Sequence, residues 1–322
     1  MDDGWESVGC ASCGRQESTP VVVVSMADAP GGRSAVVQCS GCGLRRLDPR
    51  PSGAIIGRYY AAAGGQGYNA YAGRRRSPFK QAVWDVLRDG GSRPAGQTWW
   101  SRLLSPLTGA IASWAFDINV RLDRTEGLRV LEVGAGFGDL LIYLRQRGCE
   151  VLGTDLSESG AAMAKASGIE VRLGHLAELQ LPAGGFDIAV MCHSLEHVAD
   201  PGVELAELAR LLRPGGRLHI AVPNGHAVRL EHDGTDWIHL SAPLHLWFYD
   251  AATLTRLLER HGFRTVAGPR TTTMHHALNA WRFYFFRHGP VAATRRLFRF
   301  LGGSARRPDG GDILRVVAEK VG

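Results

Sequence analysis

The chain is 322 residues long, 45 % hydrophobic and 21 % charged, which exceeds one mean domain and suits a globular protein with a sizeable core. Wholesale disorder and a collagen-like fibre are excluded. No run of roughly 20 apolar residues occurs, and residues 1–10 hold acids and no apolar stretch, so neither a spanning helix nor a signal peptide is expected and the cytoplasm is the default compartment. The formal charge of +6 is concentrated. Arg270, Arg282, Arg287, Arg295, Arg296, Arg299, Arg306 and Arg307 fall within residues 270–308 with no acid among them, which leaves −2 for the rest of the chain.

The first signal along the chain is Cys10-x-x-Cys13 and Cys39-x-x-Cys42, each followed by glycine (Gly14, Gly43). Two such knuckles read as a tetrahedral zinc site, because each sets two thiolates in one tight turn and the glycine tolerates the positive φ such turns need. The valine-rich runs 21–24 and 35–37 predict short strands between them, so residues 1–48 are expected to form a zinc ribbon. Disulfides do not suit a reducing compartment, and a redox motif needs no second copy. Four Cys ligands leave no open coordination position, so the zinc is expected to be a folding staple.

Residues 49–127 predict a helical linker or lid. They contain Pro49-Arg50-Pro51, Tyr59-Tyr60, a glycine-rich patch with Arg74-Arg75-Arg76, and residues 99–116, where Trp100, Leu103, Leu104, Leu107, Ile111 and Trp114 recur at helical spacing. Arg102, Pro106 and Gly109 argue against a membrane span there. From residue 128 short apolar runs alternate with helical ones. Strands are predicted at 129–133, 151–155, 169–173, 186–191, 217–222, 263–267 and 313–318, with helices at 140–147, 157–167, 202–212 and 251–261. That pattern is α/β: a Rossmann-like doubly wound sheet over residues 128–322, carrying the Arg-rich insertion 270–308.

The first of these strands runs into Glu132-Val133-Gly134-Ala135-Gly136-Phe137-Gly138-Asp139 at a helix start, which lets a nucleotide-like ligand approach the backbone. A dinucleotide fingerprint is G-x-G-x-x-G; here the third glycine comes one position early and an acid precedes the first by two, which favours S-adenosylmethionine over NAD. Glu132 can pair with the ammonium of its amino-acid end, and Asp155, ending the second strand, can accept both ribose hydroxyls.

With this loop the chain resembles the class I S-adenosylmethionine-dependent methyltransferases from residue 129 to 263. The matching motifs follow in order: Phe186-Asp187-Ile188-Ala189-Val190, Ser194-Leu195-Glu196-His197-Val198 and Leu211-Leu212-Arg213-Pro214-Gly215-Gly216. The Cys-x-x-Cys-Gly pairs, Tyr59-Tyr60, Val222-Pro223-Asn224 and Pro243-Leu244-His245-Leu246 also look like a bacterial branch with an N-terminal zinc knuckle, distantly similar to the quinone O-methyltransferases. The resemblance implies that Glu132, Gly134, Gly136 and Gly138 hold the amino-acid end of S-adenosylmethionine, and Asp155 with Leu156 the ribose and adenine. It implies that His175 and Leu176 flank the adenine, although the family usually places an acid where His175 stands. In the quinone enzymes an acid and an acid–histidine pair, associated with a divalent metal near the acceptor, correspond to His193, Glu196 and His197; here His193 replaces the first acid.

His193-Ser194-Leu195-Glu196-His197 also matches the H-x-x-E-H of a zinc-protease helix. Its place after the fourth strand, without a dedicated third ligand, rejects that reading. Methyl transfer is an in-line displacement from a sulfonium, so alignment is the main task, and an oxygen acceptor additionally needs a base. The candidates are His193, His197 and His245, with His232 and His239 in the same region.

The Arg-rich insertion interleaves arginine with rings, as in Trp281-Arg282-Phe283-Tyr284-Phe285-Phe286-Arg287 and Leu297-Phe298-Arg299-Phe300. That chemistry suits a membrane interface or nucleic acid, and equally a set of rings packed on the sheet beneath a solvated basic face. The expected function is O-methylation of a small-molecule, sugar or lipid-linked metabolite in the cytoplasm, with S-adenosylmethionine as donor, structural zinc, and peripheral contact at the inner membrane face. The alternatives are an RNA methyltransferase docking through the ribbon and the Arg-rich segment, and a non-catalytic S-adenosylmethionine-binding protein. Met191-Cys192-His193-Ser194 stands where an Asn/Asp-Pro-Pro-aromatic motif for base nitrogens belongs, which argues against RNA bases. Cys149 and Cys192 are expected in the core.

Overall fold

A computed structural model describes residues 4–66, 126–272, 281, 284–307 and 309–322. The predicted helix at 99–116, Arg74-Arg75-Arg76 and the rest of 67–125 lie outside the described residues, as do 273–280, 282, 283 and 308 of the Arg-rich insertion. The chain divides into two compact units: Met1–Ala61 with His193–Leu205 and Ala221–Val317, and Ala62–Cys192 with Ala206–Ile220 and Ala318–Gly322.

Near the start, β1 (Trp5–Glu6), β2 (Ser18–Ser25), β3 (Arg33–Cys39), β4 (Arg45–Asp48) and β5 (Arg50–Pro51) precede α1 (Gly53–Gln66). The valine run forms a strand because its alternate members bury: Val22 and Val24 pack with Val36, while Val21 and Val23 are exposed. β2, β3 and β4 pair antiparallel in sequence order, and β1 pairs antiparallel with β5.

From residue 126 the second unit holds β6 (Arg129–Val133), α2 (Asp139–Arg145), β7 (Glu150–Asp155), α3 (Glu158–Ala166), β8 (Val171–Leu173) and β9 (Phe186–Cys192). β6 pairs parallel with both β7 and β9, and β7 with β8. These strands read as unbroken apolar runs because both sheet faces are covered: Val130, Leu131 and Val133, and Ile188 to Met191, are all buried. Ser157 caps α3 by accepting the Gly160 amide. Ile169, predicted to open β8, instead closes α3 through the Ala164 carbonyl and packs with Ala135, Leu141 and Ala164.

The remaining elements are α4 (Pro201–Leu211), β10 (Leu212–Pro223), α5 (Val228–Asp233), β11 (Trp247–Phe248), α6 (Ala251–Arg260), β12 (Phe263–Thr272), α7 (Pro290–Arg306) and β13 (Ile313–Lys320). Asp250 and Thr253 form a capping box at the start of α6. The large sheet has the order β12-β13-β10-β9-β6-β7-β8, so strand order reverses around β6, where doubly wound sheets bind ligands. β10 takes in Pro214-Gly215-Gly216, which the sequence reading leaves outside the strand; the missing Cβ of Gly216 lets the backbone approach the Asp187 carbonyl. β12 continues through Gly268-Pro269 to Thr272, because an outermost strand tolerates the lost N–H of proline. The ribbon sheet acquires a fourth strand from far along the chain, in the order β11-β4-β3-β2, with Trp247 opposite Arg46. Among the described residues no helix is long and apolar enough to cross a membrane.

Asp187 on β9 accepts the Arg129 amide at 2.8 Å and Arg213 Nε at 2.6 Å. Burial raises its carboxyl, but these donors outweigh that and hold it below the usual carboxylate range. Asp187→Asn is expected to lower stability by about 1–2 kcal/mol at pH 7. A depressed carboxyl stabilises the fold above its unfolded pKa and ceases to as pH falls through the folded value, so the difference should shrink progressively as pH falls below about 4. Urea unfolding of both proteins at pH 7 and pH 3 checks this.

Candidate functional site

The glycine loop leaves the end of β6 with Gly134, Gly136 and Gly138 at φ 77, 53 and 71°, in the left-handed region. The amides of Gly134 and Ala135 both donate to the Thr154 carbonyl, at 2.8 and 3.0 Å. Asp155 Oδ2 accepts the Gly136 amide and Oδ1 the Ser157 amide, each at 2.7 Å, so the carboxylate is fixed from both sides while each oxygen keeps a lone pair. The Gly174 amide donates to the Asp155 carbonyl and brings the His175 segment to the same strand end. His175 is exposed, Leu176 is buried, and Leu156 leaves 58 % of its surface open.

Glu132 is 6 % exposed, and among the described residues its Oε2 has no hydrogen-bond partner. Burial, then the charges of Asp139 and Asp155, push its carboxyl well above the ordinary range. A buried carboxyl in this condition calls for a donor or cation from outside the protein. The ammonium-bearing end of S-adenosylmethionine has that chemistry, so the residues present fit the ligand.

His193 follows β9 directly with φ +55°, and its amide donates to the Ala221 carbonyl at 2.8 Å. Leu195–His197 form one 3-10 turn rather than an α-helix, so the zinc-protease geometry is absent. Glu196 is fully buried, with Oε1 3.5 Å from His193 Nδ1 and 4.0 Å from His245 Nε2. These are ion-pair distances, and among the described residues neither carboxylate oxygen accepts a well-formed hydrogen bond. His197 Nδ1 lies 3.0 Å from the Leu244 carbonyl and His245 Nδ1 2.8 Å from the His239 carbonyl. Both Nδ1 atoms therefore carry the proton when neutral, leaving Nε2 with a lone pair.

Burial alone raises Glu196, but His193, His197 and His245 bring it down to about 2. Burial, then His197, pushes His245 down to about 3. The structure thus gathers all three predicted catalytic histidines around an ionised carboxylate, while making buried His245 a poor proton acceptor. His193 is half-buried, and His239 stacks on it with ring centroids 6.4 Å apart. His232 sits exposed on α5.

Glu196, His197 and His245 also each offer a ligand atom, all within 4.8 Å of one another, which is the donor set of a three-ligand cation site. Three side chains that sequence reasoning did not place here secure the group. Tyr60 sets its ring 6.1 Å from His197, Trp247 Nε1 donates to the Val198 carbonyl, and the Tyr249 hydroxyl donates to the Leu195 carbonyl. The Tyr59-Tyr60 pair is visible in the sequence, but nothing there names its partner.

The Sγ atoms of Cys10, Cys13, Cys39 and Cys42 all lie within 4.8 Å of one another, with Cys10 to Cys42 at 3.3 Å and Cys13 to Cys39 at 3.5 Å. Zinc bonds of 2.3 Å in a tetrahedron need sulfurs about 3.8 Å apart. Gly14 and Gly43 adopt φ 76 and 82°, as the knuckle turns require, and the Gly41 amide donates to Cys39 Sγ. Burial raises Cys39, but the Cys42 and Gly41 amides and the neighbouring thiols bring it down to about 7. The four thiols fit a zinc ion. None of the six cysteines is in a disulfide; Cys149 is buried and Cys192 only half-buried, outside the core expected for it.

The sequence profile of a family described as a methyltransferase domain matches residues 107–267, half of the chain. A Mycolicibacterium smegmatis protein named "Probable S-adenosylmethionine-dependent methyltransferase" is 35 % identical over 145 residues, covering 44 % of this chain and 53 % of its own length. A ubiquinone biosynthesis O-methyltransferase of Aromatoleum aromaticum is 37 % identical over 113 residues, covering 32 % and 48 %. The chain spans about half the length of the curated relatives it matches. A solved complex between the Haloferax volcanii Trm112 methyltransferase activator and a methyltransferase contains a chain 20 % identical to this one. It has a TM-score of 0.50 and covers 66 % of this chain and 89 % of its own, a likeness of fold.

A Cβ added to Gly138 would meet Ala164 Cβ at 3.2 Å and Ile169 Cγ2 at 3.3 Å while φ stays at 71°. Gly138→Ala is expected to lower stability by about 1–2 kcal/mol through strain and crowding. Denaturant unfolding measures it.

Proposed function

The chain belongs to the methyltransferase-domain family, and from that premise we propose that it transfers the methyl group of S-adenosylmethionine to a hydroxyl oxygen of a small-molecule, sugar or lipid-linked metabolite. The observation that carries the reading is Glu132, a buried carboxyl at the foot of a glycine loop whose Oε2 has no hydrogen-bond partner among the described residues. The donor, when bound, supplies a methyl carbon on a positively charged sulfur. Glu132 accepts a hydrogen bond from the donor's ammonium, and the glycines keep side chains away from that end. Asp155, already oriented by two amides, accepts the ribose hydroxyls, and Leu156 offers its exposed apolar surface to the adenine, flanked by His175 and Leu176.

What supports an oxygen acceptor is the pairing of half-buried His193 with buried Glu196. His193 Nε2 takes the acceptor's hydroxyl proton, and Glu196, behind Nδ1, stabilises the imidazolium that forms. His197 and His245, each tied through Nδ1 to a backbone carbonyl, hold the neighbourhood of Glu196 in register. Cys10, Cys13, Cys39 and Cys42 hold a structural zinc ion.

The experiment is transfer of labelled methyl from S-adenosylmethionine into a cell extract, followed by separation into organic-soluble, small polar, protein and RNA fractions. Label is expected in the organic-soluble or small polar fraction; label in RNA would replace this reading with RNA methylation. With the acceptor in hand, His193→Gln is expected to lower turnover roughly 10²–10⁴-fold and to leave donor binding by calorimetry unchanged. Full turnover in that variant removes His193 from the mechanism. For the ribbon, elemental analysis should find one zinc per chain, lost together with thermal stability in Cys39→Ser/Cys42→Ser.

A further inference from the structure

The two faces of α7 have opposite fates. On one face Ala293 and Phe300 are buried, and Arg296 reaches Asp236 at 3.0 Å and Asp233 at 3.8 Å while covering the Tyr284 ring at 4.7 Å. Arg307, just beyond the helix, pairs with Glu231 at 2.8 Å, and Arg287, before it, with Asp236 at 3.5 Å. These contacts use the nearby acids on and after α5. On the other face Val291 and Phe298 are 71 % and 69 % exposed, beside exposed Arg295 and Arg299. Among the described residues neither of these arginines has an ion-pair or hydrogen-bond partner. At 100° per residue the four side chains fall within a stripe about 100° wide. Phe286, 81 % exposed, lies in the helical residues 284–288 that precede α7.

We propose that this stripe of α7, with Phe286, docks the protein on the anionic surface of a lipid bilayer. Single exposed apolar residues need no explanation. Here three large ones fall within thirteen residues, beside two guanidinium groups with no acidic partner among the described residues, in a segment of thirty-nine residues with no acid. The charge complement of such a face is an array of phosphates, and its apolar complement lies immediately beneath them. A bilayer offers both: rings and aliphatic chains seat at the acyl boundary while arginines meet headgroup phosphates. Nucleic acid fits less well. Val291 has no face on which a base can stack, and two arginines neutralise few phosphates along a strand. This inference rests on α7 and Phe286 and is independent of the methyl-transfer reading.

The test is sedimentation of the full chain with vesicles of phosphatidylcholine and with vesicles of equal phosphatidylcholine and phosphatidylglycerol. Partitioning is expected to be at least about tenfold stronger on the anionic vesicles. Phe286→Ser/Phe298→Ser and Arg295→Glu/Arg299→Glu should each lower it at least about tenfold, with melting temperatures unchanged because all four side chains are exposed. Absence of binding, equal binding to both vesicles, or binding unaltered in both variants would overturn the proposal. A parallel titration with fluorescent single-stranded RNA separates the other class. RNA binding lost in Arg295→Glu/Arg299→Glu, without vesicle binding, makes the stripe a nucleic-acid surface.

Discussion

Asp155 is the residue around which the glycine loop takes its shape. Its two carboxylate oxygens accept amides from opposite directions, Gly136 in the loop after β6 and Ser157 at the start of α3. Ser157 in turn caps α3, so one side chain ties the end of β7 to the loop of its neighbour and to the helix that follows. The parallel register makes this possible by placing Val133 beside Thr154, so that the loop and Asp155 leave the sheet together. Three left-handed glycines are the local condition for that geometry, and the open side of Asp155 is what remains for a ligand.

Two buried glutamates show how one side chain is set to opposite tasks by its surroundings. Glu132 has burial and two neighbouring acids working against its charge, which leaves it in need of a cationic partner. Glu196 is at least as buried, yet three histidines hold it ionised. The first is completed only by what binds; the second is completed by the fold. His245 follows from this arrangement, since its enclosure among these groups keeps it neutral while His193 retains access to solvent.

The sequence makes legible whatever is decided within a few residues. The glycine loop, the two Cys knuckles, the apolar runs of β6 and β9 and the helices between them all follow from local spacing and period. Pairings across long separations were not legible: Leu246-Trp247-Phe248-Tyr249 is a short apolar run, and nothing local says that Trp247 and Phe248 extend the ribbon sheet beside β4. The burial of Glu196 is hidden for the same reason, since β11 and the segment before it, with His245 and Leu246, pack against its turn. Strand ends shifted where glycine and proline carry two meanings. Pro214-Gly215-Gly216 reads as a turn, yet it stays in β10 where absence of a side chain allows close approach to β9.

The pairing of β11 with β4 makes the ribbon inseparable from the histidine group. Leu47 donates its amide to the Leu246 carbonyl, and Leu246 donates its own to the Glu196 carbonyl. A continuous backbone path therefore runs from β3, which ends at Cys39, through β4 to the turn that carries Glu196, with His245 one residue away. Modularity ends there: the metal knuckles resemble an appendage in the linear chain, but they brace the segment that carries the acid. A homologue lacking such knuckles must seat its Glu196 counterpart by other means, and a ribbon transplanted alone would leave β4 without its partner strand.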